Sequence, residues 1–207
     1  VYGFLNIMFK ILDEEKPEYL TVTFDVHAPT FRHEMFADYK GTRKPMAEEL
    51  RQQVPVIKDV LRAMHIEVIE KAGLEADDLL GTLSHRCEEK GMEVSIISGD
   101  RDTLQLATEH IKIRIPKTKQ GKTEVEDYYA ADVQERYGVT PKEFIDVKAL
   151  MGDTADNIPG VPGVGEKTAT KIIQQYQTIE NAYEHVDELK PPRASKNLKE
   201  FWEQAQL

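Results

Sequence analysis

Five acids, Glu75, Asp77, Asp78, Asp100 and Asp102, fall within a short span at the ends of two apolar stretches. Carboxylates crowded in this way repel one another unless something neutralises them. Oxygen-only ligands suit hard divalent ions such as Mg²⁺ or Mn²⁺ better than zinc. Any one of these acids has an ordinary reading, because an acid at a helix start caps the first turn and complements the helix dipole. For five at two neighbouring strand ends, cation binding is the stronger expectation. Asp25 follows a further apolar run, Tyr19–Phe24, and Asp153 and Asp156 stand three apart in the run Met151–Asn157.

The elements that must carry these acids are readable from periodicity. Ile66–Ile69 and Met92–Ser98 read as strands, each followed by a helical pattern. Their acids therefore arrive at one sheet edge, where α/β folds place ligands. Ile111–Ile115 alternates as another strand, and residues 116–122 read as a basic turn. A helix is expected over 47–64 with Leu50, Val54, Ile57, Val60, Leu61 and Met64 inward, kinked or split at Pro55. Residues 1–12 read as an amphipathic helix with Leu5, Met8, Phe9 and Leu12 on one stripe. The missing initiator Met points to a fragment without its natural N-terminus. Strands joined by crossover helices predict a mostly parallel α/β sheet. From residue 129 onward only helices are expected, which gives a core over 1–128 and a helical subdomain over 129–207.

Two other stretches carry chemistry. Residues 26–45 interleave rings and cations, among them Arg32, Tyr39, Lys40 and Arg43. That is long for a passive loop, and cations beside rings suit phosphates and stacked bases. Residues 158–169 form a Gly/Pro turn running into a helix, where close backbone approach and Lys167 make an anion site. The spacing fits neither a triphosphate loop nor a dinucleotide fingerprint. A helix-hairpin-helix that grips a phosphodiester backbone without reading bases fits it. The plain alternatives are a solvated basic loop and a tight helical turn.

Composition sets outer bounds. With 40% hydrophobic and 31% charged residues among 207, the chain has the make-up of a globular protein. Its net charge of −10 falls to −2 once eight acids are assigned to a metal site, so charge does not exclude a nucleic-acid partner. A single cysteine, Cys87, excludes an internal disulfide framework, and no apolar run approaches the roughly 20 residues of a membrane helix. His27, His65, His85, His110 and His185 lack ligand spacing. A cytoplasmic location is the default expectation.

Taken in order, Phe24-Asp25, Phe31-Arg32-His33-Glu34, Tyr39–Arg43, Glu75–Asp78, Ser98–Asp102, Gly152-Asp153 with Asp156-Asn157, and Gly160–Ala169 closely resemble the 5′ nuclease domains of the bacterial DNA polymerase I family, within the flap-endonuclease superfamily. The resemblance spans nearly the whole chain. It implies a PIN-like α/β core with a helical arch (26–64), followed by a helix-three-turn-helix subdomain with its hairpin motif over 151–176. It implies two Mg²⁺ or Mn²⁺ ions on Asp25, Glu75, Asp77, Asp78, Asp100, Asp102, Asp153 and Asp156. Arch residues carried over are Arg32, Tyr39, Lys40 and Arg43. The duplex-binding turn falls on Gly160, Val161, Gly163, Val164, Gly165, Lys167 and Thr168, and can also hold a K⁺ ion. The implied activity is 5′-3′ exonuclease and flap-endonuclease hydrolysis of DNA near 5′ ends, in Okazaki-fragment primer removal and repair. A monomer joined in its native chain to polymerase domains, nucleoid-associated and away from membranes, completes the expectation. The family opens with a strand bearing one more metal-binding Asp, and this sequence starts downstream of it. Two other readings stay open: a DNA-structure-binding fragment with impaired catalysis, and a PIN-type ribonuclease.

Overall fold

The computed structural model of the chain describes residues 1–119 and 122–207. Helix α1 (Tyr2–Glu15) buries Met8 and Ile11 and half-buries Phe4, Leu5 and Leu12. Phe9, expected on the apolar stripe, is 50% exposed. It lies about 100° round the helix from Met8, off the face that Met8 and Ile11 define.

The expected single sheet is two small ones. Strand β1 (Thr21–Thr23) pairs in parallel with β2 (Glu67–Ile69), Val22 opposite Val68. Between them run α2 (Phe31–Met35), α3 (Glu48–Arg51) and α4 (Gln53–Ala63). The helical stretch divides at Gln52, and Pro55 sits in the first turn of α4, where a missing N–H breaks no helical bond. Leu50 and Met64, expected inward, are exposed, whereas Ile57 and Leu61 pack on Met8. The α4 end of the 26–64 segment is thus part of the body.

Helix α5 (Ala76–Glu89) crosses from β2 to β3 (Val94–Ile97) and packs against both β1 and β3. A 3₁₀ helix (Arg101–Leu106) then leads to β4 (Ile111–Lys119), parallel to β3. Strand β5 (Lys122–Tyr128) returns antiparallel to β4. The expected basic turn over 116–122 is therefore strand as far as Lys119, and residues 120 and 121 lie outside the described residues. Pro116 is tolerated because β3 pairs with β4 only as far as Arg114, leaving that edge of β4 without a partner at Pro116.

Six α-helices follow: α6 (Ala130–Tyr137), α7 (Pro141–Met151), α8 (Glu166–Tyr176), α9 (Ile179–Glu184), α10 (Pro192–Glu200) and α11 (Trp202–Ala205), with a short 3₁₀ helix (Val186–Glu188) between α9 and α10. Thr140 and Glu143 form a capping box at the start of α7. The larger core runs from Ile96, Ile111 and Ile113 in the sheet through Leu150 and Ile173 to Leu198. A smaller cluster of Met8, Ile57 and Leu61 lies under α1. The C-terminal end of α1 is tied to the second sheet by charge. Glu15 meets Lys112 at 2.8 Å and Ser95 at 2.6 Å, and Glu14 meets Arg114 at 2.9 Å. The Arg114 side chain is only 8% exposed and also binds Asp127 at 2.8 Å. Its Nη1 lies 2.7 Å from Glu15, close as an ion pair though not aligned as a hydrogen bond. Among the described residues no helix is long and apolar enough to cross a membrane.

A carboxylate cluster faced by a basic segment

Each acid reaches the site by a local rule. Glu75 is the N-cap of α5: its backbone carbonyl accepts from the Asp78 N–H at 3.1 Å, while the Asp78 carboxylate accepts from the Glu75 N–H at 2.9 Å. Asp25, just past β1, accepts the Ala76 N–H at 2.7 Å, which draws the end of β1 onto the start of α5. Asp100 caps the 3₁₀ helix by accepting from the Asp102 N–H at 2.9 Å. Asp153 accepts the Ala155 N–H at 2.7 Å and the Asp156 N–H at 3.2 Å, closing the turn after α7. Capping thus holds the backbones that carry these carboxylates.

The basic segment is seated on these acids. Arg32 donates to both oxygens of Asp78, at 2.9 and 2.8 Å, in a bidentate pair. Lys40 Nζ donates to Glu75 at 2.6 Å. Arg43 pairs with Asp156 and donates to the Ala155 carbonyl at 3.1 Å. Tyr39, 5% exposed, shares its one hydroxyl proton between Glu75 and Asp156, each 3.0 Å away. All four predicted arch residues therefore meet the predicted acids. Lys148 of α7, which the sequence did not single out, bridges Asp102 at 2.8 Å and Asp153 at 2.6 Å.

The charges sort the acids into groups. Asp77 is open to solvent on one side, yet the protein around it and the nearby charges of Asp100, Asp25 and Glu75 push its carboxyl up to about 6. Burial likewise raises Asp102, with Lys148 opposing and Asp100 and Asp153 adding. Asp78 is held below the usual range, chiefly by its bond from Arg32. Burial acts to raise Asp153, but Lys148 and two backbone N–H groups outweigh it and hold the carboxyl down. Burial first, then Glu75 and Asp156, raise the Tyr39 phenol, so it stays a donor. As the side chains stand, no three His, Cys, Asp or Glu among the described residues are gathered closely enough to hold an ion. The donor set is nevertheless all oxygen, the ligand chemistry that suits a hard divalent ion.

The hairpin is built differently from its reading. Val161 and Val164 are buried in the larger core, so their side chains anchor the turn, and the N–H of Val161 is spent on the Leu150 carbonyl at 2.8 Å. Gly152 and Gly160, both at positive φ, meet backbone to backbone. A Cβ on Gly152 would lie 2.6 Å from the Ile158 oxygen, and one on Gly160 would fall on the Gly152 amide. Gly163, at φ +76, faces Arg193, whereas a side chain on Gly165, the N-cap of α8, would meet open space. Lys167 and Thr168 lie in the first turn of α8, with Lys167 exposed. Asn197 donates to the Pro162 carbonyl at 2.6 Å and Gln204 to that of Gly160, so α10 and α11 brace the turn. These braces carry no local sequence signal.

Two family models together cover the chain and meet at residues 138 and 139, ten residues beyond the boundary expected at 128. Residues 1–138 match the family model for the 5′-3′ exonuclease N-terminal resolvase-like domain, and residues 139–207 that for the 5′-3′ exonuclease C-terminal SAM fold. DNA polymerase I of Bacillus caldotenax is 47% identical over the whole chain, and that of Bacillus subtilis (strain 168) is 46% identical over 99% of it. The chain spans 23% of the length of each of these relatives. Among solved structures, the zinc-bound T5 5′-exonuclease superposes with a TM-score of 0.83 at 24% identity, over 99% of this chain and 78% of that one. The catalytic core of Rad2 with a DNA substrate gives 0.55 at 19% identity, over 89% and 58% of the two chains. At these identities the structural likeness bears on fold alone, and it supports an α/β core with a helical C-terminal part.

Proposed function

The chain belongs to the 5′-3′ exonuclease family, and from that premise we propose that it hydrolyses DNA phosphodiesters near 5′ ends, at flaps or duplex junctions. The carrying observation is the convergence of Arg32, Tyr39, Lys40 and Arg43 on carboxylates drawn from separate elements. The relatives named DNA polymerase I and the DNA-bound Rad2 structure support DNA as the substrate. The metal-bound T5 structure supports divalent ions, which we take to be Mg²⁺ or Mn²⁺.

Asp25, Glu75, Asp77 and Asp100 would hold one ion, and Asp102, Asp153 and Asp156 a second. Asp78 would join the first ion's ligands on release from Arg32, just as Glu75 and Asp156 would become free for their ions on release from Lys40, Tyr39 and Arg43. Bound ions would activate the attacking water and offset charge on the leaving oxygen. Lys40 and Arg43 would steer the scissile phosphate and stabilise its added negative charge. Tyr39 would keep the segment seated, since its phenol remains protonated. Lys148 would hold Asp102 and Asp153 together until the substrate arrives. At the hairpin, the backbone around Gly163 and Gly165, with Lys167 and Thr168, would grip the duplex backbone, with a K⁺ ion there as an aid. Val161 and Val164 contribute rigidity from beneath, and Gly160 contributes the close turn. Within its whole protein, the chain would serve as the nuclease part of a monomeric, cytoplasmic, nucleoid-associated DNA polymerase I that removes primers and repairs DNA.

The test is a duplex with a labelled 5′ flap, incubated with the chain and Mg²⁺ or Ca²⁺. Release of the flap with Mg²⁺ and retention without cutting in Ca²⁺ is expected. Retention without cutting in both would favour a DNA-binding role. Cutting of single-stranded RNA in preference to the flap would favour a ribonuclease.

A further inference from the structure

The turn 155–157 and the base of the basic segment hold each other by bonds that involve no site carboxylate. The Lys40 N–H donates to the Asp156 carbonyl at 2.8 Å, and the Asn157 side-chain amide donates to the Asp38 carbonyl at 2.7 Å. Arg43 Nε adds its bond to the Ala155 carbonyl. Lys40 and Asn157 both sit in the left-handed region, at φ 55 and 59. Side chains other than glycine are uncommon there, asparagine least so, and such residues persist where their surroundings over-determine them. On its other side the same turn closes through the Asp153–Ile158 bridge, with N–H···O distances of 2.8 and 2.7 Å. The Gly152–Gly160 contact comes next, and after it the hairpin. A continuous path of hydrogen bonds and close backbone packing thus joins the duplex-gripping turn to the base of the segment bearing Lys40 and Arg43.

We propose that Asn157 is a positioning residue. Its amide pins the base of the basic segment to the turn that leads into the hairpin, so that the place where the duplex is held fixes where Lys40 and Arg43 stand. The consequence for cleavage rests on the nuclease reading above. The pin itself does not.

Two variants isolate the amide. Asn157→Gly keeps the left-handed backbone and removes the donor; Asn157→Asp keeps the shape and replaces the donor with an acceptor. Asp38→Ala is the control, because only the Asp38 carbonyl is used. In the whole chain, free of metal and DNA, hydrogen exchange at the Lys40 amide should quicken about tenfold in both Asn157 variants, as expected for loss of one supporting hydrogen bond. Amides of β3 and β4 should be unchanged, as should the control. On a flapped duplex with Mg²⁺, both variants should spread the cut over neighbouring phosphodiesters and lower kcat at constant KM. Duplex binding in Ca²⁺ should stay at the wild-type level. Unchanged Lys40 exchange in both variants overturns the pin. Faster exchange with the cut still at a single wild-type position overturns the positioning role. If the wild-type chain cuts nothing, the nuclease reading fails and the exchange result decides the pin by itself.

Discussion

Lys40 is the residue on which the chemistry is most directly tested. Its ammonium sits 2.6 Å from Glu75, where it would meet a phosphate entering beside the cluster. Lys40→Ala is expected to lower kcat by about 10²–10³, the usual cost of losing one group that stabilises transition-state charge. Ion uptake and duplex binding, measured calorimetrically on the same variant, should persist. An unchanged kcat would remove Lys40 from the reaction. This residue was legible because cations interleaved with rings are unusual in a surface loop. Lys148 was not, since within Pro141–Met151 it reads as an ordinary charged helix position, and its two partners lie on other segments. Asn157 was visible as part of a motif, yet its bond to the Asp38 carbonyl depends on two turns meeting across the fold.

Among elements, α1 offers a pH test. The Glu14 carboxyl is held below its ordinary range, first by Lys10 and then by Arg114. For Glu15, burial opposes the shift, but Lys112 and Ser95 prevail and lower it. Groups depressed in the folded state contribute stability that is present above their unfolded pKa and lost as pH falls through the folded value. The link from α1 to the second sheet should therefore hold at neutral pH and fail on acidification below the ordinary glutamate range. Thermal melts of wild type and Glu15→Gln across pH 7 to 3 should show a shallower pH dependence in the variant; parallel curves would exclude Glu15. The turn between α7 and α8 gives a second test. Gly160→Ala would drive a Cβ into backbone, which cannot yield as a side chain can. We expect loss of duplex binding and destabilisation of about 1–3 kcal/mol or more from forced backbone shift, read by denaturant unfolding. Helix and strand types were mostly readable from periodicity, and the misses have local causes. Pro55 reads from sequence as a break, although a first helical turn accepts proline. Pro116 reads as a turn residue, because an unpaired strand edge cannot be seen in sequence.

At the scale of the whole molecule, the two cores are unequal. Leu150 and Leu61 are both fully buried, but Leu150 belongs to the large core that unites the second sheet with the C-terminal helices, and Leu61 to the small cluster under α1. Either leucine replaced by alanine should cost about 2–5 kcal/mol locally. The difference should lie in what unfolds. Trp202, stacked on Tyr183 at 4.2 Å between ring centres, reports on the large core. Leu150→Ala should shift Trp202 fluorescence and far-UV circular dichroism together. Leu61→Ala should lower the circular dichroism first and leave the fluorescence midpoint near wild type; coincident transitions would show the cores to be one cooperative unit. The class of fold was legible from alternating strands and helices, whereas the division into two sheets was not, because strand adjacency is decided in space. That division has a mechanical consequence. With no backbone pairing between the sheets among the described residues, the load between these two plates passes through α5, which rests on both, and through the Glu14 and Glu15 rivets of α1. Stiffness across the seam is therefore adjustable by a few side chains, leaving each plate intact.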